Sequence, residues 1–344
     1  MTSWLVAGAA GFLAAAQAQE TNVALAHLDS LAAVLEAHPP TFAADPAREQ
    51  AFLGLDRFFE AAVRPGQPFD LAEYPNDLWR WIDRRLQRAL AEAEAAPGTA
   101  DKLTVWQMYN MGLLCRSGKA VVGMDLTPVL PEADAFNRRV AALVDVLLVT
   151  HGHGDHYAPG LVHACLAAGK PVFLPAASAA ELPPDPCLFP VDDFREAEVS
   201  SVRLTARRGI HVWAAGRETV PIVYYELAFP SGHAAIFCGD LDYTRAFEKT
   251  PGLAIDLLVV PWRSPNESYE PGSPRQTAER KDAVQIAIDR IQPRHLLYGH
   301  YAELGHVHGG MPASYEIAAG LKRAVATPSE WMFWGEKLVF PPIP

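Results

Sequence analysis

Length, composition and charge limit the size of the fold and the class of ligand that this chain can have. It has 344 residues, of which 50% are apolar, enough to bury the core of one large domain with an extension. Acidic residues outnumber basic ones by 40 to 29, giving a formal net charge of −11. The densest basic stretch, residues 83–88, lies in a predicted helix and is interpreted as its solvated face. Because nucleic-acid binding needs a basic patch, we expect a small-molecule substrate instead.

The N-terminus admits two interpretations. An apolar run from Trp4 to Ala16 leads into Ala16-Gln17-Ala18, which resembles the A-x-A site of a secretory signal peptide, but no basic residue precedes the run. Residues 1–18 are therefore either a cleaved signal peptide or an N-terminal helix, and the protein is accordingly either exported or cytoplasmic. The run is too short and too rich in Ala and Gly to predict a membrane span.

Three amphipathic segments predict a helical extension over residues 20–100. Val23 to Glu36, Arg48 to Ala62 and Leu78 to Ala95 carry apolar residues at helical spacing, and Pro39-Pro40 and Pro97-Gly98 end the first and the third. No catalytic constellation accompanies these segments. We favour an extension that packs on the main domain over the alternative, a cap above the active site.

From Leu103 the spacing of apolar residues changes to that of β-strands. Strands are predicted from Leu103 to Arg116 and from Ala120 to Met124, joined at residues 117–119. Residues 175–198 are rich in Pro and Asp and are predicted to be a loop. Helices are predicted at residues 161–168 and 278–291, and further strands at residues 171–174, 199–206, 222–229, 234–239, 257–260 and 295–298.

The strongest chemical signal follows a short apolar run, Val144 to Val149, which predicts a buried strand. Four potential metal ligands stand just after it, namely His151, His153, Asp155 and His156. Gly152 and Gly154 separate the first three, which allows the backbone to bend so that the side chains converge. Imidazoles and a carboxylate at a strand end are ligands that a catalytic Zn²⁺ takes.

This loop resembles the HxHxDH signature of the metallo-β-lactamase superfamily and matches it at every fixed position. The resemblance covers about residues 103 to 340. It implies an α/β fold, an αββα sandwich of two mixed β-sheets flanked by helices, with the helical extension before a metallo-β-lactamase-like domain at residues 103–344. Asp125, which ends the second predicted strand, resembles the aspartate that supports the metal loop in that superfamily without binding metal itself.

The superfamily pattern requires three more positions, each at or just beyond a predicted strand end, and they are supplied by His211, Asp240 and His300. The resemblance implies a first metal on His151, His153 and His211, and a second on Asp155, His156 and His300, with Asp240 between them. The implied cofactors are two divalent ions, Zn²⁺ by default with Mn²⁺ or Fe as alternatives. A metal-bound hydroxide would be the nucleophile, and Asp155 would orient it as the catalytic residue.

His233 is an alternative third ligand of the first metal, because it lies nearer to Asp240 in sequence. If residues 234–239 are extended, however, His233 and Asp240 lie at opposite ends of a strand, roughly 23 Å apart. Ligands of one site must lie within about 2.2 Å of the metal. His211, which precedes the strand that returns to the Asp240 end, is therefore the expected ligand.

The expected function is a metal-dependent hydrolase of an ester, a lactone or a phosphodiester, and the resemblance extends to the sugar-phosphate lactonase-like branch of the superfamily. A nuclease of the same superfamily is an alternative that the acidic charge disfavours, since affinity for a phosphate backbone comes from Lys and Arg. A non-catalytic metal-binding protein on the same fold is an alternative of a different class, because a fold does not fix a function. The sequence names neither the substrate nor the oligomeric state.

Overall fold

The computed structural model describes residues 25–62, 76–130, 133–213, 218–247, 253–262, 274–308 and 315–342. The candidate signal peptide at residues 1–18 lies outside these ranges. The helices are α1 (residues 25–37), α2 (Pro46–Ala62), α3 (Asn76–Ala95), α4 (Asp134–Leu143), α5 (Pro159–Ala167), α6 (Ala176–Ala179), α7 (Pro274–Ile291), α8 (Leu304–His308) and α9 (Tyr315–Ala324).

The strands, in chain order, begin with six that belong to the first half of the domain: β1 (Leu103–Gln107), β2 (Leu113–Ser117), β3 (Ala120–Met124), β4 (Val146–Leu148), β5 (Val172–Pro175) and β6 (Leu188–Val191). The others are β7 (Phe194–Val199), β8 (Val202–Trp213), β9 (Glu218–Ala228), β10 (Ala234–Phe237), β11 (Leu257–Pro261), β12 (His295–Gly299), β13 (Ser329–Trp331) and β14 (Lys337–Phe340).

Within the described residues, these strands form two seven-stranded sheets. The first has the order β14-β1-β2-β3-β4-β5-β6 and the second the order β13-β12-β11-β10-β9-β8-β7. Strands β3 to β6 run parallel to one another, as do β10 to β13, whereas the remaining neighbours pair antiparallel. Because parallel strands end at the same edge of a sheet, the loops after β10 and β12 emerge together.

Alternate side chains of the strands face opposite layers of the molecule. Between the two sheets lies an apolar core to which both contribute, including Val122, Leu148, Tyr225 and Phe237, none more than 2% exposed. The opposite faces pack against helices in a second cluster, which includes Val121, Leu147, Val140 and Leu161 on one side and Ile236, Leu258 and Val284 on the other. The fold is therefore the predicted αββα sandwich of two mixed sheets.

Of the three N-terminal helices, α2 and α3 contact the C-terminal part of the chain, where Nε of Arg85 on α3 donates to the carbonyl oxygen of Trp334 at 2.8 Å. Phe52 of α2 lies 4.5 Å from Tyr315 between ring centroids, and it belongs to the same apolar cluster as the outer faces of the sheets. Arg48, also on α2, donates hydrogen bonds of 2.6 Å to both carboxylate oxygens of Glu336 and to the carbonyl oxygen of Trp331. The predicted helices are thus confirmed within residues 25–62 and 76–95, and none of the described helices is long and apolar enough to cross a membrane.

Two predictions about the strands are wrong. The single strand predicted from Leu103 to Arg116 is the antiparallel pair β1 and β2. Its turn is bound by Gln107, whose amide nitrogen lies 2.7 to 3.2 Å from three carbonyl oxygens of residues 108–112, and Asn110 adopts a φ of 53° there. The predicted loop at residues 175–198 contains α6, β6 and β7. Both β6 and β7 are edge strands, where Pro and charged residues are tolerated.

Candidate metal centre

The histidine loop begins where the chain leaves β4 and crosses towards the second sheet. The hydroxyl of Tyr225 donates to the carbonyl oxygens of Val149 and Phe173, at 2.8 and 3.0 Å. The backbone N–H of Val223 then donates to the carbonyl oxygen of Thr150, at 2.8 Å. Strand β9 therefore anchors the residues immediately before His151, so that the loop rests on both sheets.

The remaining predicted ligands reach the same place from the second sheet. Asp240 follows β10 and His300 follows β12, as predicted. His211, in contrast, lies inside β8 and pairs with Val220 of β9, so its placement beyond the end of a strand was wrong. Strand β8 continues to Trp213 because β9 keeps pairing with it, although the apolar alternation on which the prediction rested ends at Ala206.

Three residues that shape the centre have a backbone that is strained or closely packed. Asp125 and His300 have φ values of 43° and 66°, in the left-handed region that costs energy for residues other than Gly and that is common at functional sites. Gly239 also has a positive φ, of 53°, and a Cβ there would lie only 2.7 Å from the Cβ of Thr150. A side chain at position 239 would therefore push the histidine loop away from Asp240.

Among the described residues, two groups could each hold a metal ion. The first consists of His151, His153 and His211, and the second of Asp155, His156, Asp240 and His300. Within each group the potential ligand atoms lie within 4.8 Å of one another. All seven residues predicted as ligands thus converge, in two sets that differ from those implied by the superfamily resemblance only in that Asp240 belongs to the second set.

The carboxylate of Asp240 lies between the two groups. Its Oδ1 is 2.5 Å from Nε2 of His300 and 3.7 Å from Nε2 of His156, both in the second group. Its Oδ2 is 3.8 Å from Nε2 of His211 in the first group. One oxygen therefore faces each group, which is the arrangement that a carboxylate bridging two ions requires.

Hydrogen bonds behind the rings determine which imidazole nitrogens face the second group. Nδ1 of His156 is 2.7 Å from Oδ2 of Asp125, and Nδ1 of His300 is 3.0 Å from Oε2 of Glu303. Because an ionised carboxylate only accepts hydrogen bonds, both Nδ1 atoms must carry the proton. The Nε2 atoms of His156 and His300, 3.1 Å apart, then face the carboxylates of Asp155 and Asp240, which are 3.2 and 2.5 Å away, so a proton or a cation must lie between each nitrogen and its carboxylate.

The first group is prepared in the same way, through Thr150. Its hydroxyl donates to Oδ2 of Asp125 at 2.7 Å, and its N–H donates to Oδ1 at the same distance. Having given its proton to Asp125, the hydroxyl can only accept from Nδ1 of His151, 3.1 Å away. Nε2 of His151 then carries a lone pair, which is directed at Nδ1 of His153, 3.0 Å away.

The pKa shifts of these groups follow from burial and from the surrounding carboxylates. Burial, with His156 nearby, holds the pKa of His151 well below its usual value, so that its imidazole is neutral at pH 7. Burial would also lower the pKa of His156, but Asp155, Asp125 and Asp240 together raise it well above its usual value. Burial would raise the pKa of Asp240, yet His300 and His156 hold it well below the usual range. The centre therefore favours positive charge among these ligands.

Other histidines lie away from this centre. His233 is bonded to the hydroxyl of Ser231 and the carbonyl oxygen of Pro341, at 2.9 Å each, which agrees with its predicted distance from Asp240. His295 packs 4.1 Å from the ring of Phe42, between centroids. The side chains of His306 and His308 lie outside the described residues.

Two residues that organise the centre were not identified from the sequence. Thr150 immediately precedes the histidine loop, and its position beside the motif was the only available signal. Glu303 follows His300 by three residues, a spacing that is compatible with a contact but equally typical of an exposed turn. Asp125, in contrast, was expected to support the loop, and it accepts hydrogen bonds from the hydroxyl of Thr150 and from Nδ1 of His156.

No protein-family model and no curated protein matches this sequence. Similar solved structures include Igni18, a metallo hydrolase from the archaeon Ignicoccus hospitalis KIN4/I, with a TM-score of 0.50 and 13% identity over 70% of this chain and 98% of that one. A Parabacteroides distasonis ATCC 8503 protein, provisionally named a metal-dependent hydrolase, has a TM-score of 0.48 and 16% identity over 68% and 93%. CmlA, a diiron β-hydroxylase from Streptomyces venezuelae, has a TM-score of 0.47 and 13% identity over 72% and 55%. At such identities, likeness to Igni18 establishes the fold alone.

Proposed function

We propose that this chain, which has the metallo-β-lactamase fold, is a metal-dependent hydrolase with two divalent ions in its centre. The observation that carries the proposal is the pair of facing Nε2 atoms of His156 and His300, 3.1 Å apart. Each ring already gives its other nitrogen to a buried carboxylate. A cation bound by both Nε2 atoms, and by the carboxylates of Asp155 and Asp240 that face them, would take the place of protons there, and metal-binding histidines commonly have a carboxylate behind them in this way.

The donor set fits two ions rather than one. His151, His153 and His211 would hold the first, and the four residues of the second group would hold the other, with Asp240 contributing one oxygen to each. Nitrogen and carboxylate ligands suit Zn²⁺, and they also accept Mn²⁺ and Fe. When bound, such ions lower the pKa of a water molecule towards 7 and polarise the oxygen of the scissile group.

Asp155 is the proposed catalytic residue among these ligands. One carboxylate oxygen lies 3.2 Å from Nε2 of His156, and 21% of the side chain is exposed, whereas His156 is fully buried. Burial would raise the pKa of Asp155, but His156 lowers it, so the carboxylate is ionised at neutral pH. It can therefore orient an attacking water and accept its proton, which supports a role in general-base catalysis.

The substrate class follows from chemistry rather than from a recognised pocket. Two ions flanked by a carboxylate suit hydrolysis of an ester, a lactone or a phosphodiester. A small-molecule substrate is favoured over a nucleic acid, because the chain carries 40 acidic residues against 29 basic ones.

The test is metal analysis coupled to turnover. The purified protein is expected to contain close to two transition-metal ions per chain, and chelation is expected to abolish hydrolysis of at least one substrate class among esters, lactones and phosphodiesters. Readdition of metal should restore it. A protein free of transition metal, or a hydrolysis rate that chelation leaves unchanged, would refute the proposal. Two bound ions with no turnover across all three classes would favour the non-catalytic alternative.

A further inference from the structure

We propose that a pocket beside the metal centre binds an anionic group of the substrate, a phosphate or a carboxylate, through Arg207, Arg208 and Arg245. The pocket has a volume of about 560 Å³, within the range typical of small-molecule sites. That the anion belongs to the substrate rests on the proposed function, whereas binding of the anion does not.

The pocket is built from the two chain segments that carry metal ligands. Gly209 and Ile210 line it and immediately precede His211 on β8, and Asp242 lines it two residues after Asp240. The N–H of Asp242 donates to the carbonyl oxygen of Ile210 at 2.7 Å, which ties the two segments together. Two residues along a strand span about 6.6 Å, so Gly209 in the pocket lining lies about this far along β8 from the metal-ligand candidate His211.

Two of the three arginines are held in place through their Nε atoms. Nε of Arg207 donates to Glu226 at 2.7 Å, and Nε of Arg245 lies 3.2 Å from Oδ2 of Asp242. Both carboxylates are buried, with side chains 8% and 0% exposed. Within the described part of the chain, these two guanidinium groups make no other hydrogen bond or ion pair. Among these residues no hydrogen bond occupies their terminal amino groups, the pair that binds phosphate or carboxylate with matching geometry, and the guanidinium of Arg207 also lies 4.9 Å from the centroid of the Phe194 ring.

Arg208 has a partner that an incoming anion can displace. Its Nη1 lies 3.4 Å from Oδ1 of Asp193, and the two side chains are 55% and 83% exposed. An ion pair so exposed contributes little, because solvent screens both charges. In a chain of net charge −11, the pocket lining carries three arginines against two aspartates, Asp193 and Asp242, and this small local excess of positive charge favours entry of an anion.

An apolar wall completes the pocket. Tyr224 and Phe247 line it, and their rings meet edge to face with centroids 5.3 Å apart. Such a wall suits the uncharged part of a ligand, while the arginines fix its charged end. The inferred substrate is therefore an ester or lactone that carries an anionic group several bonds away from the scissile bond.

The first test measures anion binding to the full-length, metal-loaded protein by isothermal titration calorimetry. Inorganic phosphate and succinate are the probes, since the stronger of the two identifies the group that the pocket prefers. Arg208→Gln and Arg245→Gln are each expected to weaken binding about tenfold, the loss of roughly one hydrogen bond to a charged group. Arg195→Gln is the matched control, because Arg195 is on β7 and bonds Pro190 outside the pocket.

Binding that is equal in the wild type, both pocket variants and the control would overturn the inference, since the anion would then sit at the metals or elsewhere. Absence of binding would overturn it as well. Arg207 is left unchanged, because its removal would leave the buried Glu226 without its partner and could unfold the chain.

A second test addresses the substrate itself. The probes are mono-4-nitrophenyl esters of dicarboxylic acids of increasing length, compared with esters of the corresponding monocarboxylic acids. A lower KM is expected for the charged ester once its length spans the gap, and this advantage should disappear in the Arg208→Gln, Arg245→Gln double variant, which should bind charged and neutral esters with equal KM. Equal KM values for charged and neutral esters in the wild type would overturn the inference, with turnover of the neutral ester still supporting the proposed hydrolase.

Discussion

Replacing Glu303 with Gln is expected to weaken the binding of one of the two metal ions and to leave the affinity for the other unchanged. The carboxylate of Glu303 lies 3.0 Å from Nδ1 of His300, and both residues are buried, with 8% and 1% of their surface exposed. A Gln amide in that place can donate its N–H to Nδ1, which would move the ring proton to Nε2 and remove the lone pair that faces His156. Loss of such a partner typically costs about 10- to 100-fold in metal affinity, or about 1.4 to 2.8 kcal/mol.

The assay is a competition titration with a chromophoric chelator, which resolves a stronger and a weaker site. Only one affinity should fall, since His300 belongs to the second group alone. Glu226→Gln is the matched control, because Glu226 is buried to the same degree, at 7%, and bonds Arg207 instead of a histidine. Thermal unfolding of the metal-free variants reports any general loss of stability. If Glu303→Gln keeps both affinities at the wild-type level, or lowers them no more than the control does, the tautomer argument is wrong.

Three further predictions rest on contrasts within the structure. Asp155→Ala should lower turnover by about 10²- to 10⁴-fold, measured by kinetics, and should lower the metal content, measured by elemental analysis, by a smaller factor. Near-normal turnover would contradict its catalytic role. His211→Ala should lower metal content and activity, whereas His233→Ala, equally buried but bonded elsewhere, should change neither; the reverse pattern would contradict the assigned ligand set. Arg48→Ala should destabilise the chain by about 3–5 kcal/mol in denaturant titrations, because it leaves the buried Glu336 unpaired, and an unchanged midpoint would refute this.

The layered fold and most of the centre could be predicted because they depend on local signals. A short apolar strand followed by His-Gly-His-Gly-Asp-His is recognisable in one stretch of sequence, and Asp240 and His300 each stand directly after an apolar strand and a glycine. Strands in a sandwich end at its edges, so polar residues at strand ends are brought together there. The predicted ligands therefore converge even though 60 residues separate Asp240 from His300.

Strand boundaries were less predictable, since pairing can continue where the apolar pattern stops. Residues 207–213 of β8 include Arg207, Arg208 and Gly209, which do not indicate a strand, yet β9 pairs with them through to Trp213. The pairing holds His211 inside a strand instead of on a loop, and it also presents the arginines at the pocket. Residues 207–213 therefore lack an apolar alternation because this part of β8 borders polar groups of the centre and the pocket.

The residues behind the ligands are hidden from the sequence for a different reason. Asp125 and Glu303 have the same role, since each accepts a hydrogen bond from Nδ1 of a histidine and so turns its Nε2 towards the other candidate ligands. Asp125 was found through its motif, 31 residues before His156, whereas Glu303 follows His300 by only three residues and was missed. The distance in sequence from the histidine therefore did not decide which of these two carboxylates could be predicted. A sequence signature identifies the residues that would bind a metal. The position of the proton on each imidazole ring depends on contacts behind the ring, and only the three-dimensional structure shows these.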